Sequence, residues 1–335
     1  MNKKIIFIIL SAVFLIPAAL SARAAAESTD LPVSADTQEE KVDVNLVFPL
    51  GPSLASIALL DKDSLGKEFP RYNINLEILK SPDLLASRII SGKTDYSVIP
   101  SNLASVLYNK EADIKLVGPV IWGLLYVVTS DKGVNGFEDL KGRKIAMIGR
   151  GLSPDILFRY LLKENGIDPD KDVEIVYLAS EMELIPAFLT GKYTVSMMPE
   201  FMLTTVMSES RDCRIIIDVQ DEWKKMFGAS YPQSSLIVSG DFYNEHKDFA
   251  QRFVYYFNKA VESANNDPKS AGLAAAAMDK QINADIFSDA IPRMHLHFVP
   301  AAEAKDKVEN YYNILFDFNP KTIGGKLPSD SFYLK

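Results

Sequence analysis

Two similar stretches decide the fold: LKSPDLLASRIISGKTDYSVIP at residues 79–100 and LASEMELIPAFLTGKYTVSMMP at residues 178–199. Aligned at an offset of 99 residues, they share seven identities, including a Gly-Lys pair and a final proline. In each copy a helix is predicted to end at Gly-Lys, because glycine permits the left-handed cap, and a short strand then leads to proline at the next helix start. Further upstream the match continues at an offset of 100, where Gly51, Ser53 and Gly66 correspond to Gly151, Ser153 and Gly166. The repeat favours two related lobes. The alternative is that two unrelated units share these glycine and proline positions by chance.

Strand-like and helix-like patterns alternate from Val42, where the fold is predicted to begin. Strands are predicted at residues 44–48, 74–79 and 96–99, and helices at 53–65, 84–91, 249–265 and 302–316. This alternation predicts an α/β fold in which helices cover parallel sheets, with the C-terminal helices packed on the first lobe. Ligands of such sheets bind beyond the carboxyl ends of the strands, so two facing sheets would enclose a cleft.

Length and composition are typical of a globular protein with two lobes. The chain has 335 residues, of which 47% are hydrophobic and 24% charged. These values exclude a disordered, collagenous or disulfide-stapled chain. The single cysteine, Cys213, cannot form an internal disulfide, and its place before the apolar run 215–217 predicts a buried thiol.

The first 26 residues are predicted to form a secretory signal peptide. Lys3 and Lys4 precede an apolar segment at residues 5–20, and Ala24, Ala25 and Ala26 supply the small residues that a signal peptidase needs. An uncleaved membrane anchor is the alternative. Residues 27–41 are polar and aperiodic, which predicts a flexible leader. No cysteine stands at the predicted cleavage site to carry a lipid, so we expect a periplasmic protein, with secretion to the medium as the alternative.

Charge argues against nucleic-acid binding. Removal of residues 1–26 takes away three basic residues and no acidic one, so the net charge of −8 becomes −11. A surface of this sign repels nucleic acid and anionic lipid, and no cluster of Lys and Arg offsets it locally.

Several motifs, in this order, resemble the solute-binding proteins of ABC importers. They are GFEDLKGRKIAMIG at residues 136–149, Ser-Pro at 153–154, NGIDP at 165–169 and AFLTGK at 187–192. The most similar group takes nitrate, sulfonates, taurine or thiamine-pyrimidine precursors. The resemblance implies a type II periplasmic-binding-protein fold, in which two lobes joined by a two-segment hinge close on a solute. It places the chain crossings near residues 129–132 and 233–239, with lobe 1 formed by residues 42–130 and 236–335 and lobe 2 by residues 131–235.

Candidate ligand-binding residues are expected where helices begin. Unpaired N–H groups at a helix start suit an anion or a carbonyl, although simple N-capping also explains a serine there. Gly149-Arg150-Gly151 is the most favourable single loop, since glycine lets the backbone approach a ligand and arginine offers a bidentate fork. Trp122 and Tyr231 could stack on a ring-shaped solute or pack in the core. The candidates in the loops are Ser53, Ser81, Ser101, Asn102, Arg150, Gly151, Ser153 and Ser180, and the resemblance adds Glu200 although the family's Glu-Pro order is reversed here at Pro199-Glu200.

Catalysis finds little support in the sequence. His295 and His297 could share one face of a strand, but only one other histidine, His246, is present, and a structural or surface role is expected. The sequence contains no GxSxG elbow, phosphate-binding loop or HExxH motif. We therefore expect a monomeric binding protein without a cofactor or metal, whose partners are a small solute, with a neutral or zwitterionic ring compound slightly favoured, and an ABC permease with its ATPase. Two alternatives are an enzyme on the same fold, such as a small-molecule lyase or pyrimidine-precursor synthase, and a receptor for a membrane sensor.

Overall fold

A computed structural model describes residues 41–335, so the predicted signal peptide and nearly all of the predicted leader lie outside the described residues. The strands are β1 (Val42–Pro49), β2 (Tyr72–Leu79), β3 (Tyr96–Pro100), β4 (Ile114–Ile121), β5 (Leu125–Thr129), β6 (Lys144–Met147), β7 (Glu174–Tyr177), β8 (Val195–Pro199), β9 (Arg214–Asp218) and β10 (Ser234–Ser239). The α-helices are α1 (Lys62–Glu68), α2 (Pro82–Ile90), α3 (Ser101–Asn109), α4 (Ser153–Glu164), α5 (Glu181–Leu189), α6 (Met202–Glu209), α7 (Val219–Phe227), α8 (Gly240–Glu245), α9 (Lys247–Asn266), α10 (Pro268–Met278), α11 (Ala284–Ala290) and α12 (Ala301–Phe318). Short 3-10 helices lie at Pro52–Ser56, Phe137–Leu140, Ile291–Arg293, Pro320–Ile323 and Asp330–Phe332.

The strands form two five-stranded sheets with the same architecture. The first sheet has the order β2-β1-β3-β10-β4 and the second has the order β7-β6-β8-β5-β9. In each sheet the fourth strand, β10 or β5, runs antiparallel to both of its neighbours, and the other pairings are parallel. Helices connect the parallel strands, as parallel pairing requires. The predicted α/β fold with two sheets is therefore confirmed.

The two repeated stretches occupy matching places in the two sheets. Ser81 and Ser180 are the N-cap residues of α2 and α5, and Pro100 and Pro199 end β3 and β8. Gly92 and Gly191 both have a positive φ, near 70° for each, just after the preceding helix. The repeat in the sequence thus corresponds to a repeat in the architecture.

The first crossing between the sheets comes earlier in the chain than expected, whereas the return lies within the expected range 233–239. β5 pairs with β8 and β9, so residues 125–129 belong to the second sheet, although the expected boundary placed residues up to 130 in lobe 1. The chain leaves the first sheet after Ile121 and returns to it at Ser234. The physical reason is that the first linker has only three residues and lies between two buried apolar strands, so that it shows no polar break in the sequence.

Two further differences concern helices. The single helix expected at residues 53–65 is instead a 3-10 helix at Pro52–Ser56 followed by α1. Asp61 accepts a hydrogen bond from the backbone N–H of Ser64 and so starts a new helix there. The C-terminal helices do pack on the first sheet, but α11 also packs on α6 of the second lobe.

The cores lie between sheets and helices. The central strands β3 and β10 are almost entirely buried, as expected for strands covered on both faces. Cys213 is buried just before β9, and burial raises the pKa of its thiol to about 11. None of the helices in residues 41–335 combines the length and the apolarity needed to cross a membrane.

Candidate functional site

The carboxyl edges of the two sheets face each other. β1, β2 and β3 end at Pro49, Leu79 and Pro100, and Ser234 lies opposite both Pro100 and Ile121, so β4 ends at this edge too. On the second sheet, Leu125 lies opposite Pro199 at the carboxyl end of β8. The chain passes from one carboxyl edge to the other through three residues, so the two edges are adjacent, as the predicted cleft between the sheets requires. This is the place where open α/β sheets bind their ligands.

Gln220 joins the two linkers that connect the lobes. The first linker is Trp122-Gly123-Leu124, and the second runs from residue 219 to 233. The Gln220 side chain is buried, and its Oε1 accepts hydrogen bonds of 2.8 Å from the Leu125 N–H and the Tyr231 hydroxyl. Gly123 has a φ of 114°, and a Cβ at this position would overlap Gln220 Cγ. Glycine is therefore required here both by the backbone conformation and by the close approach of Gln220.

The first lobe places four of the predicted residues at its carboxyl edge, with different accessibility. Ser81 is exposed and caps α2 through a hydrogen bond from the Leu84 N–H. Ser53 is buried and donates to the Pro49 carbonyl. Ser101 is fully buried, and its hydroxyl shares a 2.7 Å hydrogen bond with Ser235. Asn102 is half-buried and makes a long 3.4 Å hydrogen bond to Thr322 O. Among these four side chains, Ser81 and Asn102 have the most open surface for a solute.

The glycine loop of the second lobe is held in place from beneath by a polar network. Buried Asp155 accepts a 2.8 Å hydrogen bond from the Gly151 N–H, and its other oxygen contacts Arg159 and the Tyr177 hydroxyl. Burial, together with the hydrogen bond to Asp155, raises the pKa of the Tyr177 hydroxyl. Arg150 is exposed and lies over the Tyr177 ring, with its guanidinium carbon 5.2 Å from the ring centroid. The network fixes the loop while leaving the Arg150 charge open to solvent.

The other two predicted residues of the second lobe also differ in their accessibility to solvent. Ser153, the first residue of α4, is buried near the Tyr311 hydroxyl. Ser180 is exposed at the start of α5, where its side chain makes no capping bond. The exposed group at this edge therefore comprises Arg150, Gly151 and Ser180.

The predicted ring-binding residues are largely enclosed. Trp122 is 7% exposed, and its indole N–H donates to the His297 carbonyl. Tyr231 is fully buried, with its ring against Trp223 and Tyr311. Both residues lie at the linkers, as expected for Trp122, but they pack in the core of the hinge instead of presenting a face to the cleft.

Glu200 is also enclosed, although it lies at the carboxyl edge as predicted. Its side chain has no exposed surface. One oxygen contacts the Arg293 guanidinium, and the other accepts 2.7 Å hydrogen bonds from the Phe201 N–H and the Thr204 hydroxyl. Both oxygens are thus occupied by protein groups, which leaves no acceptor for a solute in this conformation.

A group of residues that sequence reasoning did not select lies beside the linkers. It consists of Tyr126, Asp218, Arg293 and His295, and we call it the hinge cluster. The Tyr126 hydroxyl donates to the Arg293 carbonyl at 2.7 Å and lies 3.2 Å from His295 Nε2. His295 Nε2 is 3.9 Å from an Asp218 oxygen, and the two side chains keep 35% and 26% of their surface open, respectively. Burial raises the pKa of the Asp218 carboxyl and of the Tyr126 hydroxyl.

The hinge cluster supplies hydrogen-bond donors and acceptors beside the linkers. Arg293 pairs with Glu200 of the second lobe, and Asp218 lies opposite His295. His295 has a φ of 49°, an uncommon conformation for a side chain, which aims the imidazole at Tyr126. The signal in the sequence was the His295-x-His297 pair, but its partners Tyr126 and Asp218 are 77 or more residues away along the chain. Among the described residues, no group of three or more His, Cys, Asp or Glu side chains is arranged to hold a metal ion.

Comparison with protein families identifies the chain. The model of the family described as NMT1/THI5 like matches residues 69–271, which is more than half of the sequence. The chain belongs to the NMT1/THI5-like family. This membership confirms the resemblance drawn from the motifs between residues 136 and 192. A comparison with curated proteins gave no match.

Solved structures of similar fold support the two-lobed architecture. An ABC transporter structure from Parabacteroides distasonis is 25% identical, with a TM-score of 0.74 over 88% of this chain and 99% of that chain. The periplasmic aliphatic sulphonate binding protein SsuA from Escherichia coli is 14% identical, with a TM-score of 0.67 over 88% of this chain and 96% of that chain. The periplasmic nitrate-binding protein NrtA from Synechocystis PCC 6803 is 11% identical, with a TM-score of 0.60 over 87% of this chain and 84% of that chain.

Proposed function

We propose that this NMT1/THI5-like protein is an extracytoplasmic solute-binding protein, which captures a small organic solute between its lobes and delivers it to the permease of an ABC importer. The observation that carries the proposal is the pair of opposed carboxyl edges joined by two linkers. Helix starts on both edges offer N–H donors to one solute, and rotation about the linkers would enclose it. The similarity to structures of a sulphonate-binding and a nitrate-binding protein supports this function.

The open groups at the cleft suggest the chemistry of the solute. Among residues 41–335 no carboxylate pairs with Arg150, which contributes a positive charge at the carboxyl edge, whereas the hinge cluster places Asp218 near His295. A solute that carries one negative group and a polar ring or amine would meet both. A zwitterionic ring compound therefore fits better than a small inorganic oxyanion, which would reach only one of the two places.

Transport and catalysis make different predictions for the same screen. We propose that the protein acts as a monomer in the periplasm and leaves its solute unchanged. A thermal-shift screen of the purified protein should cover nitrate, bicarbonate, sulfonates, taurine, amino acids, polyamines, pyrimidines, thiamine precursors and flavins. A solute present at 100 times its Kd should stabilise the protein by about 2.7 kcal/mol.

Mass spectrometry of the hit then separates the functions. A solute whose mass is unchanged after incubation supports binding without turnover. Conversion to a product would overturn the proposal in favour of an enzyme on this fold. Cell fractionation, with the mass of the mature N-terminus, tests the periplasmic location and the cleavage after residue 26.

A further inference from the structure

The segment that carries Arg293 is attached to the first lobe. His297 donates its N–H to the Val120 carbonyl at 2.9 Å, and Val299 donates to Pro119 at 3.0 Å. These bonds place the segment along the free edge of β4. The Trp122 N–H in turn donates to the His295 carbonyl, which extends the pairing into the first linker. The backbone of residues 295–299 therefore moves with the first lobe.

Side chains from the same segment reach the second lobe. The Arg293 guanidinium contacts the Glu200 carboxylate, and its Nη2 lies 2.6 Å from the Thr204 hydroxyl. The Tyr126 hydroxyl of β5 donates to the Arg293 carbonyl. Six residues before Arg293, Phe287 of α11 packs against Phe201, with the ring centroids 5.1 Å apart. The two lobes are thus joined here as well as at the linkers and where α12 packs on α4.

The charge on Glu200 makes this contact hard to break. The carboxylate has no exposed surface, and Arg293 is its cationic partner among the described residues. A buried carboxylate that loses its partner keeps the cost of desolvation without the compensating attraction. Any lobe movement that separated Arg293 from Glu200 would have to bring water or another donor to the carboxylate.

We propose that Arg293 and Glu200 act as positioning residues, forming a noncovalent crossing that limits rotation of the lobes about the two linkers. The crossing lies beside the first linker, since the Glu200 N–H donates to the Leu124 carbonyl at 2.7 Å. Movements that keep this contact as a fixed point remain allowed, whereas wider opening is restricted. The range of opening determines the fraction of molecules in a binding-competent conformation, and this fraction determines the apparent affinity for a solute.

The range of opening can be measured without any solute. Lys93 and Lys192 are exposed and occupy matching positions just before β3 and β8, at the ends of the two sheets away from the cleft. Nitroxide labels at Lys93→Cys and Lys192→Cys, in a Cys213→Ser background, report the distance between the lobes by double electron–electron resonance. The variants are Arg293→Gln, Arg293→Lys and Glu200→Gln.

A matched control removes an arginine of the same kind within one lobe. Arg159 pairs with buried Asp155 inside the second lobe and has no part in the crossing. Arg159→Gln should leave the distance distribution as it is in the parent protein. Arg293→Gln should shift the distribution to longer distances and broaden it. Arg293→Lys keeps the positive charge but loses the two-pronged guanidinium, so its distance distribution should lie between those of the parent protein and Arg293→Gln.

Two outcomes would overturn the proposal. One is a distribution for Arg293→Lys and Arg293→Gln that coincides with that of the parent, in variants whose near-ultraviolet circular dichroism shows a folded core. The other is an equal broadening in Arg159→Gln, which would indicate general loosening of the lobes. If Arg293→Gln does not fold, Arg293→Lys and Glu200→Gln still decide the question. Because no solute is present, failure of the proposed transport function would leave these results unaffected.

Discussion

The requirement for glycine at position 123 gives a prediction that can be worked through in numbers. In Gly123→Ala the new Cβ overlaps Gln220, so we expect the Gln220 side chain to be displaced. The Leu125 N–H and the Tyr231 hydroxyl then lose their acceptor inside the core. Each unpaired buried group costs about 1–3 kcal/mol, and the unfavourable φ adds roughly 1–3 kcal/mol. The total is on the order of 5 kcal/mol, a large part of the stability of a typical domain.

A double-mutant cycle tests this reasoning more sharply than the single variant. Gln220→Ala alone leaves the same two groups unpaired, and it also removes the side chain that the alanine at 123 would meet. In that background Gly123→Ala should therefore cost only the backbone strain, roughly 2 kcal/mol. The loss of unfolding free energy in the double variant should therefore be about 3 kcal/mol smaller than the sum of the losses in the two single variants.

Urea unfolding followed by tryptophan fluorescence measures the four proteins. Gly142→Ala is the matched control, since Gly142 also has a positive φ, of 75°, but a Cβ there would meet open space. It should cost only the strain of a left-handed backbone, about 1–2 kcal/mol. Additive effects of Gly123→Ala and Gln220→Ala, or a Gly123→Ala variant no less stable than Gly142→Ala, would refute the argument from overlap.

Three other predictions concern single side chains. Arg150→Ala should remove most of the ligand-induced rise in melting temperature. Because Arg150 is exposed, the stability of the free protein should change by less than about 0.5 kcal/mol. Arg211→Ala, at an exposed position after α6, is the control, and equal ligand responses of the two variants would show that Arg150 does not belong to the site. The raised pKa of Cys213, about 11, predicts alkylation by iodoacetamide at pH 8 that is slow in the folded protein and fast in urea, and similar rates in both states would contradict a buried thiol. Burial raises the folded pKa of Asp218 above its unfolded value of 3.8, so its contribution to stability is complete below that value and is lost as pH rises through the folded pKa. Melting temperatures across this pH range should therefore fall in the parent relative to Asp218→Asn, and parallel curves would show that Asp218 does not titrate in this way.

Local patterns in the sequence predicted the parts of the molecule that depend on short spans of chain. Gly-Lys followed by a strand and a proline predicted where β3 and β8 lie, because helix ends and helix starts are determined by a few neighbouring residues. The buried thiol of Cys213 followed from the apolar strand beside it. These features need no knowledge of what the segment packs against.

The hinge cluster could not be predicted in this way. Tyr126 and Asp218 are brought together by the pairing of β5 with β9, and His295 reaches them only because residues 295–299 run along β4. Ser101 and Tyr231 show the converse: each stands at the expected edge, but partners distant in the chain, Ser235 and Tyr311, cover them. Helix-start positions were therefore predictable, whereas accessibility was not.

The antiparallel strands of the two sheets also determine when each lobe can be completed during synthesis. β5 enters the second sheet from the first linker, and every strand of that sheet lies between residues 125 and 218. β3 and β4 are joined only by β10, so the first sheet stays divided until residues 234–239 have been made. Although domains generally fold in the order of their synthesis, here the N-terminal sheet must wait for the lobe inserted within it. Its earliest strands, β1 to β4, remain exposed on the nascent chain for the whole time that the second lobe is being translated.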